Sequence, residues 1–206
     1  MRPVPGWAVI TAILAPVFLL GGLVLATARQ SASYSSSRDT ISSLSGFGAS
    51  NRWIMVAGFI GLGTCFVVTG IGLRPAMTPG RFAMVFGGVV TVLSAFFPQP
   101  ANGTSALHGL VAGAGFVALA VWPAFGFRLE PDAPWSLRPA ASLAATGFMI
   151  VLLFWFAAEL FNRGDQIGLT ERFLAAAESI WPLVVVLNAR QLSSPIGEAA
   201  VPEKPG

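Results

Sequence analysis

The chain alternates between long stretches without charge and short segments where charges, prolines and glycines collect. Residues 3–28, 53–73 and 139–158 contain no Asp, Glu, Lys or Arg. Each is close to the ~20 apolar residues that carry a helix across about 30 Å of hydrocarbon. A fourth uncharged stretch, 82–127, is too long for one crossing. It is cut at Pro98-Gln99-Pro100-Ala101-Asn102-Gly103-Thr104-Ser105, where prolines and a glycine stop one helix before the next begins. That stretch predicts a hairpin. The last apolar run, 173–189, is interrupted by Glu178 and Pro182.

The pattern therefore predicts an all-α, polytopic membrane protein, a six-transmembrane-helix bundle made of three hairpins. Its spans are expected near 7–28, 53–73, 82–97, 106–127, 139–160 and 171–190. One domain covers 1–192, and the Pro-, Glu- and Ala-rich segment 193–206 is expected to be a disordered cytoplasmic tail.

Composition narrows the class further. Of 206 residues 54% are hydrophobic and 10% charged, whereas a soluble domain has about 25% charged. A disordered chain is excluded, and an ordinary soluble enzyme fits poorly. None of the apolar segments has a polar face at the 3.6-residue period, so a soluble bundle would lack a polar shell. Trp7, Trp53, Trp122, Trp135 and Trp155 fall at or near predicted helix ends, as interface anchors do. Arg2 and Ala26-Thr27-Ala28 imitate a secretory signal, but the run between them exceeds the roughly 7–15 residues of a signal core, so an uncleaved span is expected. The Gly109-Leu110-Val111-Ala112-Gly113 pattern is expected to pack inside the bundle.

Charge sets the orientation. Arg2, Arg74, Arg81, Arg128, Arg138, Arg190 and Lys204 lie on the side of the termini, and Arg29, Arg38, Arg52, Arg163 and Arg172 on the other. By the positive-inside rule both termini are expected in the cytoplasm of a multi-pass cell-membrane protein. The net charge of +3 follows from this distribution, and with no basic cluster nucleic acid is not an expected partner. The expected partners are the lipid bilayer, a lipid or small hydrophobic ligand, and a second membrane protein.

The candidate chemistry gathers on the far side of the bilayer. Asp39 lies in loop one, His108 just after loop three, and Glu171 and Arg172 just after loop five. Within loop one, residues 38–44 mix charge with Ile41 and Leu44 at helical spacing, which suggests a short amphipathic helix on the membrane surface. Glu178 enters its span by about 8 Å at 1.5 Å per residue and shares a helical face with Glu171. An ionisable group at that depth is costly and needs a partner, for which Arg172, Arg38 and Arg52 are available. Glu159 precedes Arg163 by four residues, the spacing of a surface ion pair.

His108 is the only histidine. Ser105 is placed to cap its helix, leaving the imidazole in the first turn. One histidine and one cysteine, Cys65, exclude bis-histidine haem and a cysteine-built metal site, and no metal or cofactor is expected. No phosphate loop, nucleophile elbow or zinc-protease motif occurs, and no span contains a lysine for a Schiff base.

Tyr34-Ser35-Ser36-Ser37-Arg38-Asp39-Thr40-Ile41-Ser42-Ser43-Leu44, Phe97-Pro98, His108 and Gly168-Leu169-Thr170-Glu171-Arg172 stand out as polar landmarks. Together they resemble those of a prokaryotic six-helix membrane family known as domain of unknown function 998. The resemblance runs from Trp7 to Gln191 in the same order. Gln99 and Pro100 stand where the family often has an acidic residue. The resemblance implies the six-helix fold and an outward polar cluster, with no assigned activity.

Three functions fit these residues, and the first is favoured. It is a non-enzymatic protein whose extracytoplasmic cluster of Asp39, His108, Glu171, Arg172 and Glu178 binds a lipid headgroup, a small ligand or a partner protein. The second is a lipid- or isoprenoid-processing enzyme. There His108 is the base, Asp39 or Glu171 orients it, Ser42 is the nucleophile and Arg172 holds an anionic headgroup. The third is a small transporter using Glu178.

Overall fold

A computed structural model describes residues 3–101, 103 and 105–191. The tail 193–206, the Asn102 and Thr104 positions and the charges of Arg2 and Lys204 lie outside the described residues. Six helices form: α1 (Gly6–Thr27), α2 (Trp53–Gly72), α3 (Thr78–Phe96), α4 (Ala106–Gly126), α5 (Pro139–Asn162) and α6 (Ile167–Gln191). All six are long and apolar enough to span a membrane, and no strand is present among the described residues. The protein is an all-helical, multi-pass membrane bundle.

The helix ends follow local chemistry. Proline stands in the first turn of α3 and of α5, where its missing N–H costs nothing. Ser105 caps α4, its hydroxyl accepting from the His108 N–H at 3.2 Å. At the end of α5, Arg163 adopts a left-handed conformation (φ 54°).

Two boundaries differ from those predicted by the charges. α3 begins at Thr78 and includes Arg81, whose guanidinium folds back to donate to the carbonyls of Gly70 (3.0 Å) and Ile71 (2.6 Å) at the end of α2. A cation there meets the negative end of the helix and satisfies its last carbonyls. α6 begins at Ile167 and includes Glu171 and Arg172, which loop one covers.

The helices pack as a closed ring in chain order, with α1 meeting α6 and α4 also reaching α6 across the interior. Glycines set the closest approaches. A Cβ added at Gly63 would lie 2.5 Å from the carbonyl oxygen of Gly88, and one added at Gly88 would lie 2.6 Å from that of Gly63. At this crossing α2 and α3 touch backbone to backbone.

Three packing expectations are corrected. Trp122 is fully buried against Gly126 and Gly80 rather than anchored at an interface; Trp7, Trp53, Trp135 and Trp155 are exposed as anchors should be. Gly109 and Gly113 do not pack within the bundle: nothing lies within 4 Å of a Cβ at either, and both line an outward apolar groove with Phe86 and Val117. Glu159 makes no ion pair with Arg163. Its carboxylate instead accepts from the Gln166 N–H at 2.9 Å, tying α5 to the start of α6. Among the described residues the ion pair present joins Arg128 and Glu130 at 3.7 Å on a loop.

Candidate functional site

Loop one, expected to carry a surface helix, instead dips into the bundle. Residues Ser42–Ser45 form a single 3-10 turn, with Ile41 and Leu44 at 1% and 0% exposure. These residues are inserted because α6 offers them a built acceptor. Glu171 Oε2 accepts from the Ile41 N–H at 2.6 Å, and Oε1 accepts from the Ser42 hydroxyl at 3.1 Å. Arg172 completes the latch, donating to the carbonyls of Asp39 (2.9 Å) and Gly168 (2.7 Å) and to the Tyr34 hydroxyl. The Leu169 N–H donates to Ser37 O at 3.0 Å. Gly168 is required here, because a Cβ at that position would collide with the Asp39 carbonyl.

Beneath the latch lies an internal chamber of about 50 Å³. It is walled by α1, α2, α3, α4 and α6, with Ile41 and Ser42 of loop one among its lining residues. Most of the lining is apolar, including Phe59, Phe66, Phe116 and Leu119. The polar members are Ser42, Thr91, Ser94, Glu171 and Glu178. Glu178 is 2% exposed and its Oε1 has no hydrogen-bond partner. The arginines expected to pair with it are elsewhere. Arg172 is committed to loop one, Arg38 is exposed, and Arg52 donates to Ser45 O at 2.9 Å while stacking over Phe47 and Trp53.

The six helices fall in the order and near the positions that the sequence landmarks indicated. The family described as "Protein of unknown function (DUF998)" matches residues 9–188. The chain belongs to this family. No curated protein and no solved structure matches the DUF998 chain.

The DUF998 bundle does not assemble the predicted outer cluster as one site. Glu171 and Glu178 line the chamber. Asp39 lines a separate outer crevice of about 450 Å³ between loops one and three, where its Oδ2 accepts from the Ser35 N–H at 2.7 Å. His108 is 3% exposed and its Nδ1 meets the Phe97 carbonyl at 2.7 Å. Since a carbonyl only accepts, Nδ1 must carry the proton. Among the described residues no hydrogen bond joins the His108 ring to Asp39, Ser42 or Glu171. The expected base is therefore not joined directly to the expected nucleophile or acids. His108 holds the loop-three turn closed, and Arg172 is occupied by the latch rather than open to a headgroup.

Sequence reasoning missed Thr91 and Ser94 as part of the DUF998 chamber. Both are small hydroxyls inside an apolar helix, the type that turns back onto its own backbone. The Thr91 hydroxyl donates to Gly87 O (2.8 Å) and that of Ser94 to Thr91 O (2.7 Å). Their spacing from each other was visible, but which face of α3 turned inward was not.

Proposed function

We propose that this protein is a membrane-embedded binding protein that receives a small hydrogen-bond-donating or positively charged group in the chamber between Glu171 and Glu178. Entry is from the extracytoplasmic side, where loop one covers the chamber, with both termini in the cytoplasm. The observation that carries this reading is Glu178 Oε1, buried without a partner on the chamber wall. A buried acceptor left unsatisfied costs about 1–3 kcal/mol, and more if it is ionised. Such a group in a native bundle calls for an occupant that supplies the missing donor. Asp39, His108 and Arg172 serve the reading indirectly, by fixing loops one and three around the mouth.

Thermal unfolding of the purified full chain in detergent tests it, with a panel of alkali chlorides, ammonium and small primary amines. At least one member should stabilise the wild type saturably and leave Glu178→Leu unmoved. If every response is the same in the two proteins, the chamber is not a binding site.

A further inference from the structure

The chamber's polar groups share one property: each presents oxygen lone pairs, and the hydroxyl protons are already committed. The Ser42 hydroxyl donates to Glu171, that of Thr91 to Gly87 O and that of Ser94 to Thr91 O. Glu178 Oε1 has no partner at all. The hydroxyls of the chamber offer an anion or an acceptor-rich ligand no free proton.

Two prolines add to the same set. Pro182 lies inside α6, four residues after Glu178. Proline has no N–H, so the Glu178 carbonyl loses its intrahelical donor. Glu178 and Pro182 are both buried, so that carbonyl lies on the inward face of the helix. The arrangement repeats in α4, where Pro123 follows the chamber residue Leu119 by four and frees the Leu119 carbonyl. Main-chain carbonyls released inside membrane helices persist where they line a polar interior, and there they suit small cations.

From this donor set, and resting on the binding reading above, we propose that the chamber is a site for a small monovalent cation of the sodium type. Glu178 supplies the balancing charge, and the Glu178 carbonyl with the Thr91 and Ser94 hydroxyls supplies further oxygens. Hard cations take all-oxygen ligand sets of this kind. Three facts restrict the choice. Glu171 is saturated by loop one and lies beside Arg172, so Glu178 is the one carboxyl left to balance a positive charge, releasing its proton as the cation enters. No group of three acidic, His or Cys side chains suited to a divalent metal exists among the described residues. A volume of about 50 Å³ holds a small ion with a few waters, at roughly 10–15 Å³ of such volume for each water.

The test is thermal unfolding of the full chain in detergent over a sodium chloride series, with choline chloride holding ionic strength constant. The melting temperature should rise saturably with sodium, by about 5–10 °C at a hundredfold excess over Kd, and should not rise with choline. Glu178→Gln should abolish the response while still unfolding in one cooperative transition. Pro182→Ala restores a donor to the Glu178 carbonyl and should raise the apparent Kd for sodium about tenfold without lowering the melting temperature in choline. A flat sodium series in wild type, with stabilisation by a small amine that Glu178→Leu loses, overturns the sodium assignment and leaves the binding reading standing. Flat responses to every cation and amine overturn both. A sodium response that survives in Glu178→Gln overturns the placement at Glu178.

Discussion

Glu171 and Glu178 stand seven residues apart on one face of α6, and each is 2% exposed. By sequence and burial they are twins, yet their surroundings are opposite. Glu171 is met by a main-chain N–H and a hydroxyl, with Arg172 beside it in sequence. Glu178 has an oxygen with nothing to meet it. Burial alone therefore says little about what a carboxylate does. A saturated one is a fastener, holding loop one into the bundle, and an unsaturated one is an acceptor still open to a donor. Their substitutions should differ in sign as well as size.

The largest effect is expected from Glu171→Leu. Removing the acceptor strands the Ile41 N–H and the Ser42 hydroxyl inside the bundle, and the stability lost should be about 3–5 kcal/mol. Unfolding in mixed micelles measures it, and a loss below about 1 kcal/mol would show that the latch contributes little. Arg172→Lys comes next. A single ammonium cannot reproduce a fork that reaches Asp39 O, Gly168 O and Tyr34, so about 2 kcal/mol should be lost and protease sites in loop one should become accessible. Glu178→Leu should move the other way, raising stability in choline buffer by about 1–2 kcal/mol, because an unsatisfied group is replaced by an apolar one. If that variant is instead destabilised like Glu171→Leu, Glu178 is a fastener too and the contrast disappears. The smallest effect is Ser42→Ala, which removes one of the Glu171 bonds and should cost about 1 kcal/mol in the same unfolding measurement.

The fold was legible from the spacing of charges because a bilayer punishes them so consistently. Where the reading slipped, a charge had found a private solution inside the bundle. Arg81 neutralises the end of α2 and so lies inside α3 rather than before it, and α6 begins at Ile167, four residues ahead of the expected start at Glu171, where loop one wraps it. Which polar residues share one end of the bundle could also be read, since it depends only on the order of spans. Rotation of each helix about its axis could not. Helices apolar all round carry no amphipathic signal to say which stripe faces inward. That is why Trp122 was placed at an interface, Gly113 inside the bundle, and His108 among the acids. Glu178 was legible because depth alone marked it. Its lack of a partner was not, since three arginines could have reached it until loop one and the aromatic stack at Phe47 and Trp53 claimed two of them.

The crossing of Gly63 and Gly88 has a mechanical consequence. Side chains between helices act as bearings, since they can change rotamer and let one rod roll over another. Where two backbones touch directly there are no bearings, and α2 and α3 form a single stiff plate. α6 is built differently. It is broken in its hydrogen bonding at Pro182 and tied at its outer end by a handful of polar contacts to a loop. Any change in the chamber's volume would be taken up by α6, with α2 and α3 as the anvil.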